Sequence, residues 1–447
     1  MLELKRDIYE KLIEWKKQDS GKVLELNGAL QVGKTFILDK FARENYKRYF
    51  YINMMQTSGK EFVECYYAAT SWKPGEKRIE RPLQKTFELF DETFVDDKNT
   101  IVVIDEIQES AEVYSMIRQF ARDFSCHFVV TGSYLGKTLS KEYFLPAGDI
   151  DTMVLDTLSY EEFLGTVGLR NVYDNLDLYG QGKQEEYEEL KKWYDIYIQI
   201  GGYPAVVKCY LETKDMEKCK EELANIIRIF VNESERYFND VLEVNLFEQL
   251  FPSIAQSMIK ESKGSSDRIS ELSKIIFKDE SDRITKKSVN QAIAWLYRSH
   301  IIGYCDRISE CNLMDVSYHS RFYFRDIGVA RHFLRIAGAD QATVEGIINE
   351  NFVYFYLERL IRERKLAGTS PAFGVYKGGE IDFFVRSVEN DKDYAIEVKS
   401  GKNIGKTAKD GKADYLYLLK GDTHGGIVDK KKYTVPIYLM GRITFVD

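Results

Sequence analysis

Residues 23–41 read VLELNGALQVGKTFILDKF, and the reading of the whole chain turns on them. Val23 to Leu26 is a short, mainly apolar run suited to a buried strand. Gly28 to Thr35 spells G-x-x-x-x-G-K-T, and Phe36 to Phe41 resumes with helical spacing. Strand, glycine loop and helix in that order are the setting of a phosphate-binding loop. Gly28 and Gly33 let the backbone turn its N–H groups inward, and the following helix N-terminus adds a positive dipole end. The candidate cradle for a nucleotide is therefore Gly28, Ala29, Leu30, Gln31, Val32, Gly33, Lys34, Thr35 and Phe36. In such a loop Lys34 reaches the β- and γ-phosphates of ATP, and the Thr35 hydroxyl serves Mg²⁺.

A second landmark lies at 101–106, IVVIDE. Four consecutive apolar residues indicate a central parallel strand buried on both faces, and the carboxyl end of such a strand is where an open α/β sheet gathers ligand groups. Alone, an apolar run ending in Asp-Glu is weak evidence. After a complete phosphate loop it assigns Asp105 to Mg²⁺ and Glu106 to polarising the attacking water. A third strand, Phe128 to Val130, ends in Thr131-Gly132-Ser133, which makes Ser133 a candidate contact to the γ-phosphate or that water.

The chain has 447 residues, 44% hydrophobic and 30% charged, which suits a soluble globular protein of about three domains. With 63 basic and 71 acidic residues its net charge is −8, so no global positive field advertises nucleic acid. The start, MLELKRDIYEKLIEWKK, is too charged for a signal peptide, and no apolar run approaches the length of a membrane span. Six scattered cysteines without a C-x-x-C pair read as free thiols in a reducing cytoplasm. The five histidines show no ligand spacing.

Taken together, GALQVGKT, IVVIDEIQ, FVVTGS and LSYEEFL resemble the prokaryotic AAA-type ATPases that carry a restriction-endonuclease-like C-terminal domain of unknown function. Two departures stand out. Many relatives have Arg where this chain has Leu30, and Gly-Arg where it has Gly148-Asp149. A missing arginine removes positive charge from the transferring phosphoryl group. Arg118 and Arg122 are the candidates to replace it, and a neighbouring copy's arginine in a homo-oligomer is the other source that the resemblance implies.

Between 171 and 245 the text is polar, then helical. From Phe247 to about Ile308 it suggests three helices and a hairpin, the body of a winged-helix-like unit at 246–335. Arg283, Lys286, Lys287 and Arg298 lie there without an intervening acid between 283 and 304, where a winged helix meets DNA phosphates. Helix ends and exposed faces carry lysine for many other reasons, and a packing role stays open.

Near the C-terminus, 380–385 (EIDFFV) and 394–399 (YAIEVK) alternate as strands. Side chains two apart share a face, so an antiparallel pair would gather Asp382, Glu397 and Lys399. This trio resembles the D…E-x-K core of the restriction-endonuclease superfamily, with Glu350, in a helix opening at Asn349, as the fourth acidic position. The resemblance implies Asp382 and Glu397 as Mg²⁺ ligands, Lys399 orienting water, and Glu350 completing the shell.

The expected architecture is α/β: a P-loop parallel-sheet ATPase domain at 1–170, a helical connector at 171–245, a winged-helix-like segment at 246–335 and a restriction-endonuclease-like domain at 336–447. The expected function is a cytoplasmic Mg²⁺-dependent ATPase whose nucleotide state gates a nuclease-like domain acting on nucleic acid. Two alternatives stay open: a nucleotide-dependent switch with an inert nuclease fold, and a nuclease whose ATPase is degenerate.

Overall fold

The computed structural model describes residues 3–71, 79–133, 148–238, 246–260, 286–376, 379–399 and 413–446. Two compact units emerge, Arg6–Asp156 and a larger one of Met1–Lys5 with Thr157–Asp447.

The first unit is a five-stranded sheet. Its strands are β1 (Val23–Asn27), β2 (Arg48–Asn53), β3 (Thr100–Asp105), β4 (His127–Thr131) and β5 (Ile150–Val154), in the order β2-β3-β4-β1-β5. Every pairing is parallel. β3 is buried along its whole length, as four apolar residues in a row require when helices cover both faces. A leading helix, Ile8–Gln18, buries Ile8, Leu12 and Trp15 and stops where Asp19 turns into the left-handed region at φ 45°. The core on one side is largely aromatic: Phe120 and Phe128 stack with ring centroids 4.6 Å apart, and Phe87 and Phe94 stack at 4.9 Å. β5 had no apolar signature in the sequence, because its residues are only half-buried at the sheet edge.

The division at 156 falls before the expected boundary at 170. The stretch LSYEEFL folds with the second unit, where Ser159 and Glu162 form a reciprocal capping box on the helix Tyr160–Thr166 and the Leu158 N–H donates to Gly202 O at 2.7 Å.

The second unit joins a helical layer to an eight-stranded mixed sheet. Its strands are β6 (Ile302–Ser309), β7 (Val316–Phe324), β8 (Ala372–Tyr376), β9 (Gly379–Arg386), β10 (Asp393–Lys399), β11 (Tyr415–Lys420), β12 (Gly426–Asp429) and β13 (Lys432–Pro436). They run in the order β12-β13-β11-β10-β9-β8-β6-β7. The hairpin β6–β7, expected as the wing of a separate segment, is the end of this same sheet: β6 pairs antiparallel with β7 and parallel with β8. The physical reason is its burial, since nearly every residue of β6 is covered and the strand needs a partner on each side. The helix Lys286–Arg298 buries Val289, Ile293 and Leu296 as their spacing requires, and Lys286, Lys287 and Arg298 are exposed. Arg283 lies outside the described residues.

Two further differences concern boundaries. Residues 435–439 (VPIYL) read from the sequence as a closing strand, but β13 ends at Pro436 and Ile437–Arg442 is a 3₁₀ turn. Proline has no N–H with which to continue a ladder. The helix bearing Glu350 opens at Gln341, not at Asn349, because the Asp340 carboxylate accepts from the Thr343 N–H at 2.9 Å and caps it there. All six cysteines are free thiols, and among the described residues no helix is long and apolar enough to cross a membrane.

Candidate functional site

The first site stands at the carboxyl end of the parallel sheet. Gly28 has φ 145°, and a Cβ there would lie 2.1 Å from Leu155 O, so the loop can pass under that carbonyl only as glycine. Gly33, at φ 95°, begins the helix Lys34–Asn45. The Ile37 N–H is the first to meet an acceptor in the helix, Gly33 O at 3.0 Å, so the loop and first-turn N–H groups before it lack intrahelical acceptors. Arg6 fixes the loop from behind, donating to Val32 O at 3.0 Å and to Asp156 O at 2.6 Å.

Lys34 curls back into the loop, its Nζ 2.8 Å from Gly28 O and 2.7 Å from Ala29 O. Burial lowers its pKa to about 8, although Glu106 and Asp105 pull it upward. Thr35 donates to Asp105 Oδ2 at 2.7 Å. The same oxygen receives the Tyr51 hydroxyl at 2.8 Å, and Oδ1 receives the Glu106 N–H at 2.8 Å. Glu106 itself sits at φ 52°, a left-handed turn that aims its carboxylate at Ser133. Ser133 donates to it through both Oγ (2.8 Å) and N (3.2 Å), and Gln108 Nε2 adds a third donor at 2.6 Å. The structure thus brings Lys34, Thr35, Asp105, Glu106 and Ser133 together, while Leu30 and Phe36 stand at the partly open loop and helix start. Thr35 and Asp105 offer hard oxygens side by side, a donor set that suits Mg²⁺.

The two arginines considered as replacements are elsewhere. Arg118 and Arg122 both bind the Asp149 carboxylate, at 3.2 and 3.1 Å. Asp149 lies beside the start of β1, its carbonyl accepting the Val23 N–H, which is the sheet end opposite the phosphate loop. Asp149 therefore holds, away from the phosphate loop, the two arginines considered as substitutes for the missing one. Tyr51, Gln108 and Arg6 were missed from sequence. Residues 49–52 (YFYI) read from the sequence as a strand, and the place of Tyr51 near its carboxyl end was the available signal.

The second site is a carboxylate cluster on β9, β10 and the helix Gln341–Arg362. The antiparallel register Ile396↔Phe383 brings Asp382 and Glu397 opposite each other on one face. Asp382 Oδ2 accepts the Val398 N–H at 2.7 Å and lies 3.5 Å from Lys399 Nζ, which is also 2.6 Å from Glu397 Oε2. Glu397 is 1% exposed, and its other oxygen, Oε1, is buried without a hydrogen-bond partner among the described residues. Burial, reinforced by Asp382, raises Glu397 to about 7 and Glu350 to about 8, and burial likewise raises Asp382. Burial would lower Lys399, but Asp382 and Glu397 outweigh it and raise its pKa. The Tyr323 hydroxyl stands 3.5 Å from Glu350 Oε2. Arg321, paired with Glu380 and 3.8 Å from the Phe373 ring centroid, borders the group. Neither had a sequence signal, since both come from β7.

The expected polar face is thus buried, and Lys399 sits between the two strand carboxylates. Among the described residues no three Asp, Glu, His or Cys side chains converge closely enough to hold a metal ion as they stand. The orphaned Glu397 Oε1, in a cluster of carboxylates with raised pKa values, nevertheless suits a cation.

Residues 20–164 match the family model described as AAA domain, and residues 191–340 match a Domain of unknown function (DUF8612). Together with the loop and acidic strand end, the first match supports an AAA-type P-loop ATPase for the segment that folds as the parallel sheet. Glu350, Asp382, Glu397 and Lys399 fall beyond both matches. No curated protein matches the chain. Solved structures similar to it include the Aeropyrum pernix ORC1 protein in complex with DNA, at 13% identity and TM-score 0.30, covering 76% of this chain and 91% of that one. The Aeropyrum pernix ORC2 protein in its ADPNP-ADP complexes gives 9% identity and TM-score 0.33, over 78% and 94%. Pif1 helicase from Candida albicans gives 15% and 0.23, over 42% and 47%. Scores this low carry no inference about this chain.

Proposed function

We propose that the protein is a Mg²⁺-dependent ATP hydrolase whose nucleotide state controls a nuclease-like C-terminal centre. The observation that supports the ATPase reading best is the linked set of Lys34, Thr35, Asp105, Glu106 and Ser133 at one end of a parallel sheet. In this reading the loop N–H groups and Lys34 hold the phosphate tail. Thr35 and Asp105 hold Mg²⁺, which when bound neutralises charge on the β- and γ-phosphates. Glu106 accepts a proton from the attacking water once Ser133 and Gln108 release its carboxylate.

The C-terminal centre reads as phosphodiester chemistry on nucleic acid, with Asp382, Glu397 and Glu350 as the acidic groups and Lys399 as the cation beside them. The unpartnered Glu397 Oε1 supports a cation there. A second reading, an inert fold used for protein interaction, is favoured by Lys399 already occupying the space between both strand carboxylates. One experiment separates them. Purified full chain is incubated with plasmid and Mg²⁺, with and without ATP, while phosphate release is followed. Nicking that depends on Mg²⁺ and disappears in Asp382→Ala supports the nuclease reading; ATP turnover without any cutting supports the inert fold.

A further inference from the structure

The helices Gln184–Ile200, Met216–Phe238 and Ile327–Ile336 enclose a cavity of about 80 Å³. It lies wholly within the segment that matches a domain of unknown function, and it belongs to neither site above. Its charged walls are all basic: Lys220, Arg331 and Arg335, set among apolar groups such as Ile200 and Leu223.

Arg331 is only 5% exposed. Its Nε donates to Ile198 O at 2.9 Å, one of the carbonyls that the end of the helix Gln184–Ile200 leaves without an intrahelical partner. That bond accounts for one nitrogen of the guanidinium and leaves the terminal amino groups. No carboxylate lies within ion-pair distance of Arg331 or Arg335 among the described residues. Burial and the neighbouring Arg335 both lower the Arg331 pKa, and Glu345, too distant for an ion pair, is the acid that opposes them. Lys220 is paired at 2.5 Å with Glu217 on its outer side. A buried guanidinium beside a second one, with no counter-charge at contact, is costly unless an anion completes it.

We propose that this cavity is a binding site for one tetrahedral oxyanion, a phosphate group held between Arg331 and Arg335. The volume is enough for a group the size of a phosphate. The fork of an arginine matches two phosphate oxygens, and two forks from successive turns of one helix grip the ion from adjacent sides. Arg335 is exposed where Arg331 is not, so it stands at the mouth and Arg331 at the floor. The ligand is either free phosphate or the terminal phosphate of a monoester whose remainder projects past Arg335.

The test uses full-length protein carrying Lys34→Ala, so that the phosphate loop does not supply the signal. Titration calorimetry with inorganic phosphate at constant ionic strength reads the site directly, with potassium chloride as the control. Saturable binding is expected, weakened about tenfold or more in Arg335→Gln, because a charge-assisted pair is lost from an exposed and fold-neutral position. Arg331→Lys keeps the charge and loses the fork, and is expected to weaken binding as well. Equal binding of glycerol phosphate identifies a monoester site, and binding of inorganic phosphate alone identifies a free-ion site. Absence of saturable binding in the Lys34→Ala protein, or unchanged affinity in Arg335→Gln with a native far-UV spectrum, overturns the proposal.

Discussion

The phosphate-loop site and the C-terminal cluster hold the same kinds of residue in contrasting hydrogen-bond settings. At the loop, Asp105 and Glu106 accept six hydrogen bonds from Thr35, Tyr51, Gln108, the Ser133 hydroxyl and N–H, and the Glu106 backbone, 2.6–3.2 Å long. At the cluster, Glu350, Asp382 and Glu397 are crowded together with fewer donors, and burial raises all three. The contrast teaches that the first site is organised before any ligand arrives, while the second stores a charge that a cation would relieve. The largest expected effect tests the first half. Lys34→Ala should lower ATP turnover by about a hundredfold or more, the scale for removing a preorganised group that stabilises transition-state charge. Residual phosphate release near the wild-type rate would break the comparison at its firmer end.

A third buried carboxylate shows what the cluster would look like if fully partnered. Glu161, in the helix Tyr160–Thr166, pairs with Arg359 at 2.5 Å and accepts the Tyr356 hydroxyl. Burial opposes its ionisation, but Arg359 and Tyr356 outweigh it and hold the Glu161 pKa below the usual range. Glu161→Gln strands Arg359 and should cost about 3 kcal/mol, measured by urea unfolding at pH 7. The sign with pH follows from the depressed value. The stabilisation is fully present above the unfolded-state pKa of about 4.3 and is lost as pH falls through the lower folded value. The gap between wild type and Glu161→Gln should therefore close on acidification below pH 4.

These differences mark how far the sequence could be read. The loop was legible because its chemistry is local: Gly28 to Thr35 is one contiguous run, and the burial of β3 follows from four apolar residues. The strand pair β9–β10 was legible for the same reason, since alternation fixed which residues share a face. What failed depended on distant contacts. The pairing of β6 with β8 joins Arg307 to Phe373 across more than sixty positions, and nothing in either stretch announces the other. Arg118 and Arg122 could be placed on a helix after β3, but their capture by Asp149 needed the fold. Arg321 and Tyr323 reached the acidic cluster by the same non-local route.

The stored charge in the cluster makes a smaller prediction of unusual sign. Glu350→Gln removes one of three crowded carboxylates and keeps an acceptor facing Tyr323. In metal-free buffer it should stabilise the fold by about 1–2 kcal/mol, as substitutions that relax a strained functional site commonly do. The same variant should lose much of the stabilisation that Mg²⁺ gives the wild type. If Glu350→Gln is instead destabilised without metal, the cluster is an ordinary packed network and the comparison fails at its second half.

The smallest effect asks how tightly the first site is preorganised. Asp105 Oδ2 accepts two hydroxyls, Thr35 at 2.7 Å and Tyr51 at 2.8 Å, and Asn53 Nδ2 steadies Tyr51 from 3.2 Å. Burial first, and the Asp105 charge after it, raise the Tyr51 pKa, so the phenol stays a donor across the physiological range. If Thr35 turns toward Mg²⁺ when nucleotide binds, Tyr51 remains to orient the carboxylate, a role that acts on the metal's partner and not on the phosphates. Tyr51→Phe should then raise the Mg²⁺ concentration needed for half-maximal turnover several-fold while leaving the KM for ATP at saturating Mg²⁺ nearly unchanged. A purely structural tyrosine would lower stability and leave the Mg²⁺ dependence where it is in the wild type. Equal loss at all Mg²⁺ concentrations would show that Asp105 is held by its remaining donors alone.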